Sequence, residues 1–207
     1  MQTITIATSV HGRFLHVDRG DERLVIGFHG YGEAASTHLA ELEKLPGIER
    51  WSLIAVQALH PFYVRSTGEV VASWMTSLDR ELAIADNLAY VEKVVASVSR
   101  PRTLVFAGFS QGAAMAARAA AHVGQPAGLM ILGGDIPPEI KADATLRLPP
   151  TLIGRGERDE WYSTEKFNHD LKYLESTTRV TTCRFNGGHE WSDAYREAAG
   201  RFLEELG

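Results

Sequence analysis

From about residue 20 onward, short apolar runs rich in β-branched residues alternate with longer segments of helical spacing. A chain patterned this way folds as strand-and-helix crossover units around a mostly parallel sheet, because each helical stripe needs a sheet face to cover it. The runs fall at residues 24–28, 52–56, 103–107, 128–132, 151–154 and 180–185, and the expected helices at 34–45, 81–97, 111–122, 164–174 and 192–206. Two weaker runs, 3–7 and 14–17, flank His11 and Gly12 and suit an antiparallel start, which brings the expected sheet to about eight strands. In the second helix, Leu82, Ala85, Leu88, Ala89, Val91 and Val95, with Val98 just beyond, recur at helical spacing and mark the face expected on the sheet. No repeat, low-complexity tract or long linker interrupts the pattern. Residues 1–207 therefore read as one α/β domain with helices on both faces and no large cap domain.

Several function classes are excluded early. The formal net charge of −5 leaves no basic footprint for nucleic acid. Wholly apolar stretches are a few residues long, against the roughly 20 that cross a bilayer, so no membrane span is expected. Met1-Gln2-Thr3-Ile4 shows no basic region ahead of an apolar one, which speaks against a signal peptide and makes a cytoplasmic setting the expectation. Cys183 is the single cysteine and reads as a small core residue within the alternating run 180–185. The sequence neither requires nor excludes a homodimer.

The chemistry centres on Gly108-Phe109-Ser110-Gln111-Gly112. A serine hydroxyl is a weak nucleophile at neutral pH, so an enzyme must expose it, set a base beside it and supply donors for the oxyanion. Apolar Leu104-Val105-Phe106-Ala107 precedes this turn and an Ala-rich helix follows it, the context of a nucleophile elbow. Gly108 and Gly112 suit so sharp a bend, because a side chain at either would strike the neighbouring strand or helix. The amide of Gln111, at the helix N-terminus, is then aimed at the oxyanion.

In such an architecture the acid and the histidine follow the serine in that order, each on a loop after a strand. His189 in Asn186-Gly187-Gly188-His189-Glu190-Trp191 lies between the last strand and the last helix and is the expected base. For the acid, Gly156-Glu157-Arg158-Asp159-Glu160 offers three carboxylates. Asp159 is preferred, with the alternative open that it only caps a turn and a glutamate is the acid. The second oxyanion donor is expected in His29-Gly30-Tyr31-Gly32, from the amide of Tyr31 with Gly32 as the neighbouring choice, while His29 braces the loop.

Segment 57–80 is the one long irregular connection, a length that marks either a functional loop or an unrecognised turn of helix. Phe62, Tyr63, Trp74 and Met75 within it, together with Tyr31, Gly32, Trp161 and Trp191, are the expected substrate pocket, and for any one aromatic the equal alternative is capping of the core. No metal ligand spacing such as His-Glu-x-x-His is present, so neither metal nor cofactor is expected.

His29-Gly30-Tyr31-Gly32, Gly108-Phe109-Ser110-Gln111-Gly112-Ala113, the acid loop ending at Asp159, and Gly188-His189 together resemble the phospholipase/carboxylesterase family, which includes bacterial carboxylesterases and acyl-protein thioesterases. The resemblance implies a single-domain α/β-hydrolase fold, no cofactor, and hydrolysis of carboxylic ester or thioester bonds. Trp74 resembles the tryptophan of the family's active-site loop, but Met75 and Thr76 stand where an aromatic and an aspartate usually follow. The acid loop, Gly-Arg-Gly-Glu-Arg-Asp, also departs from the more usual Gly-x-x-Asp. The resulting expectation is a Ser-Asp-His hydrolase of small to medium esters working through an acyl-enzyme. A thioesterase or lysophospholipase with the same triad is the competing enzyme, and a hydrolase-fold binding module without turnover the competing class.

Overall fold

The structure, a computed structural model, describes residues 1–20, 22–98 and 101–207. Among these residues the strands are β1 (Arg13–Val17), β2 (Arg23–Phe28), β3 (Ser52–Gln57), β4 (His60–Tyr63), β5 (Val70–Ser73), β6 (Thr103–Phe109), β7 (Gly128–Leu132), β8 (Thr151–Gly156) and β9 (Val180–Phe185). The helices are α1 (Ala35–Leu42), α2 (Arg80–Ala96), α3 (Gln111–His122), α4 (Pro138–Ala142), α5 (Thr164–Thr177) and α6 (Asp193–Leu206). Seven strands form one sheet in the order β1-β3-β2-β6-β7-β8-β9, parallel throughout except for β1, which runs antiparallel to β3.

Both faces of this sheet are covered, so its inner strands are apolar without interruption. Side chains alternate between two core layers. Leu24, Ile26 and Phe28 of β2 join a layer with Val91 and Val94 of α2, Ala113 and Ala116 of α3 and Phe167 of α5. Val25, from between them, joins the opposite layer with Leu42 of α1 and Phe202 of α6. The small side chains of α3 let it lie close on the sheet, with Ala113, Ala116, Ala117, Ala119 and Ala120 all buried.

The topology creates the site. After β2 the chain turns through α1 to β3 on one side, whereas after β6, its hydrogen-bonded neighbour, it turns through α3 to β7 on the other. Loops leaving the carboxyl ends of β2 and β6 therefore diverge, and the crevice between them is where sheets of this type bind ligands.

Three expectations need correction. Residues 3–7 are not a strand: strand propensity holds nothing without a partner ladder and a buried face, and Ile4 and Ile6 are 71% and 80% exposed. The antiparallel start of the sheet is β1 alone, and the sheet has seven strands. Segment 57–80 carries neither a bare loop nor a turn of helix but the two-stranded hairpin β4–β5, in which Val71, Ala72 and Ser73 are buried and β4 stays exposed. The buried face of α2 is Ala83, Ile84, Asn87, Val91 and Val94, while Leu82, Ala85 and Ala89 face solvent. Asn87 accounts for the rotation, since its amide donates to the carbonyls of Ala83 (2.7 Å) and Trp74 (2.8 Å), a polar anchor inside an otherwise apolar stripe. The short α4 has no counterpart in the sequence pattern. Val98 lies just past α2, half-buried against the same core.

Candidate active site

Ser110 sits between β6 and α3 with φ 54° and ψ −119°, one of two non-glycine residues with positive φ among the described residues. Such a conformation costs on the order of 1–3 kcal/mol and persists only where the surroundings impose it. Here its amide donates to the carbonyl of Leu132 on β7 at 2.9 Å. A Cβ on Gly112 would lie 2.0 Å from the Phe28 carbonyl oxygen, and one on Gly108 would lie 2.2 Å from that of Gly112. Only glycine fits either place.

The Ser110 hydroxyl reaches Nε2 of His189 at 2.8 Å, and Nδ1 of His189 lies 2.8 Å from Oδ2 of Asp159. A neutral imidazole with its proton on Nδ1 satisfies both contacts, donating to the carboxylate and accepting from the serine. The other oxygen of Asp159 accepts from the amides of Trp161 (2.9 Å) and Tyr162 (2.8 Å), so the carboxylate is held at three points. Glu157 and Glu160 are exposed on either side of it, so of the three carboxylates only Asp159 meets the imidazole. The His189 ring also stacks on Phe109, centroids 4.9 Å apart.

Two amides, one on the loop after β2 and one at the start of α3, are left without acceptors among the described residues. They are those of Tyr31 and Gln111. The amide of Gly32 is bonded to the carbonyl of Ala72 at 3.0 Å, which removes it as the alternative donor. His29 braces this loop as expected. Its buried ring contacts the Gly30 carbonyl through Nδ1 (2.7 Å) and accepts from the Ala58 amide at Nε2 (3.1 Å), and burial holds its pKa below the usual histidine value.

Two positioning residues escaped the sequence reading. Glu33 accepts from the Gly30 amide at 2.7 Å; burial raises its carboxyl pKa, opposed by that hydrogen bond and by the nearby His189. Arg155, buried under the acid loop, donates to the carbonyl of Tyr162 (3.0 Å), the hydroxyl of Thr164 (2.6 Å) and the carbonyl of Asp159 (3.3 Å). A polar residue within a few positions of its partner, Glu33 three after Gly30 and Arg155 four to nine before Asp159, Tyr162 and Thr164, is the only signal either left.

Among the expected pocket residues the structure divides sharply. Trp161, 76% exposed, lines a cavity of about 200 Å³ together with Ser110, Gln111, Asp135 and Tyr162. Tyr31 and Phe62 stack on each other at 5.6 Å, both exposed, and Gly32 joins that loop to β5. Tyr63 faces solvent on β4 without reaching the cavity. Trp74 is a correction: it is fully buried, because its ring packs on Phe28 (5.4 Å) and His29 (5.2 Å) while its indole N–H donates to the His29 carbonyl at 2.8 Å. Met75 turns its sulfur to Arg118 at 3.8 Å, and Trp191 packs on Phe109, His38 and Tyr195, so both cap core instead of lining the cavity.

The sequence matches the model of a family described as Phospholipase/Carboxylesterase over residues 16–206. The chain belongs to this family. No curated protein matches it significantly. Among solved structures, the fold of this phospholipase/carboxylesterase-family hydrolase is similar to that of esterase PE8 at 22% identity, covering 94% of this chain and 98% of that one with a TM-score of 0.74. It is also similar to Zea mays acyl-protein thioesterase 2, at 17% identity, 95% and 100% coverage and a TM-score of 0.72. The Bacillus cereus carboxylesterase is a third, at 17% identity, 95% coverage of each chain and a TM-score of 0.71.

Within this hydrolase the Gln111 side chain has a structural task. Its oxygen accepts from the Trp74 amide (2.9 Å) and its nitrogen donates to the Met75 carbonyl (2.8 Å), latching the elbow to the segment after β5. Among the described residues no cluster of three or more His, Cys, Asp or Glu side chains is arranged to hold a metal ion, and no helix is long and apolar enough to cross a membrane. Cys183 is half-buried on β9, and burial raises its thiol pKa, which makes it a poor nucleophile.

Proposed function

We propose that this protein is a serine hydrolase that cleaves carboxylic esters of small to medium substrates through an acyl-enzyme, with Ser110 as nucleophile, His189 as base and Asp159 as the acid that orients it. The observation that carries the reading is the unbroken relay of 2.8 Å contacts from Asp159 through His189 to Ser110. As the Ser110 oxygen attacks the ester carbonyl carbon, Nε2 of His189 takes its proton, and the imidazolium is stabilised by the carboxylate of Asp159. The carbonyl oxygen becomes an oxyanion held by the amides of Tyr31 and Gln111, which develop their full strength only when that charge forms. Collapse of the tetrahedral adduct breaks the bond to the alcohol, which leaves with the proton from His189. Water then attacks the acyl-enzyme with the same base, and Ser110 departs reprotonated.

The cavity beside Ser110, about 200 Å³, is smaller than the ~300–1,000 Å³ usual for ligand sites. This favours short substrates over long acyl chains, and a chain-length series of oxygen esters and acyl thioesters checks it; a preference for long acyl thioesters would sink the small-ester reading. The nucleophile is tested with a fluorophosphonate probe. Wild type should label once, at Ser110, and Ser110→Ala should neither label nor turn over ester above about 10⁻³ of the wild-type rate. A wild-type chain that stays unlabelled and inert points instead to a binding module.

A further inference from the structure

The cavity beside the nucleophile has an unusual lining. On one side the chain leaves β7 through Gly133-Gly134-Asp135, and its backbone lies against the elbow: a Cβ at Gly134 would stand 2.3 Å from the Ser110 carbonyl oxygen, and one at Gly133 3.1 Å from Cε1 of His189. Asp135, the next residue, is thereby fixed at the cavity rim, exposed, with no hydrogen bond or ion pair among the described residues. Trp161 lines the same cavity with an indole that remains 76% exposed although it follows directly on the acid loop.

Other charges around the cavity are already engaged. Asp170 accepts from the Tyr162 hydroxyl (2.8 Å), the Ile136 amide (3.0 Å) and Lys141 (2.7 Å). Glu33 holds Gly30, and Asp159 holds His189. The cations nearby are engaged as well: Arg155 lies buried among carbonyl and hydroxyl oxygens, Arg118 pairs with Glu139 at 2.6 Å, and Lys166 is turned to the Trp161 carbonyl at 3.1 Å. Of the residues that line the cavity with Ser110, Asp135 is the one with a charged side chain, exposed and without a partner among the described residues, and Trp161 the one with a largely exposed aromatic ring. That pairing selects alkylammonium groups, since the ring quadrupole and the carboxylate both attract a diffuse positive charge that a neutral group of equal size does not carry.

We propose that this cavity receives a cationic arm of the ester substrate, an ammonium or quaternary ammonium group, with Asp135 and Trp161 as the recognition pair. The inference rests on the serine-hydrolase reading and names the substrate class of that same site. Its test compares esters that differ only in charge. One pair places the charge on the alcohol, choline butyrate against 3,3-dimethylbutyl butyrate; the other places it on the acyl side, methyl 4-(trimethylammonio)butyrate against methyl 5,5-dimethylhexanoate. In at least one pair the cationic ester should have kcat/KM about tenfold above its neutral isostere, and the ratio should shrink as salt is raised from about 0.05 to 0.5 M.

Asp135→Asn should bring that ratio to about one, Asp135→Glu should restore it and Asp135→Lys should invert it. Any loss common to both esters cancels in the ratio, so a merely structural role for Asp135 would leave it unmoved. Wild type preferring the neutral ester in both pairs, or a preference untouched by Asp135→Lys, overturns the proposal. Fluorophosphonate labelling of Ser110 in the same samples separates the failures: labelled enzyme without cation preference refutes only the substrate class, and unlabelled enzyme inert on all four esters refutes the hydrolase as well.

Discussion

Gln111 contributes a backbone amide to the crevice and a side chain to the scaffold, and the two roles can be separated. Truncation by Gln111→Ala keeps the amide but strips the Trp74 backbone N–H of its acceptor and removes one of two donors to the Met75 carbonyl, which keeps the Ser73 hydroxyl at 2.9 Å. Leaving such an N–H unmet inside the protein costs about 1–3 kcal/mol. The variant should therefore lose that much stability in urea titration and lower kcat more than it raises KM, whereas Gln111→Glu, which keeps the acceptor but not the donor, should fall between. At this scale the sequence was legible where chemistry demands a particular atom. Ser110 and His189 stand out because few positions offer an elbow or a glycine-flanked histidine after a strand. Asp159 could only be preferred over Glu157 and Glu160, because three carboxylates on one short loop differ in direction, which spacing does not encode. Trp74 was legible as an aromatic of the active-site segment yet not as a buried one, since an irregular backbone has no period from which to tell inside from outside.

Helix α1 covers its face of the sheet in part with a buried histidine. Both ring nitrogens of His38 are buried without a hydrogen bond among the described residues, the ring packing near Gly27 and Leu42 and edge-on to Trp191 at 5.6 Å. Desolvation pushes its pKa down to about 3. Above about pH 6.5 the imidazole is neutral folded and unfolded, and it contributes no pH dependence. Below that value the unfolded chain binds a proton that the native state refuses, so stability should fall by about 1.4 kcal/mol per pH unit down toward pH 3. Substitution by His38→Leu should flatten this acid limb and leave the protein at least as stable at pH 7, as read from chemical denaturation at pH 7 and 4.5; an unchanged slope would remove His38 from the account. The elements themselves were mostly readable from period. Hairpin β4–β5 was not, because its strands are four residues each and β4, with Pro61 inside it, buries nothing that could impose alternation.

At the scale of the whole molecule, the β-rich runs that became sheet strands are those with a ladder to join, and residues 3–7 show the converse. Deleting residues 2–8, which lie exposed and outside every element, should shift Tm by no more than about 2 °C and leave ester turnover as it was. The parallel topology was recoverable from the alternation of elements, but the order of strands was not, since pairing depends on contacts between segments far apart in the chain. That order has its own consequence. Tyr31 and Gln111 emerge from β2 and β6, whose continuous ladder from Arg23↔Thr103 to Phe28↔Gly108 spaces the two strands at about 4.8 Å. The gauge between the two loops is thus set first by main chain, with the Gln111 and Glu33 side chains holding each loop in place on it. The rim at Asp135, Trp161 and the β4–β5 hairpin lies outside that ladder and can change without altering the strand spacing.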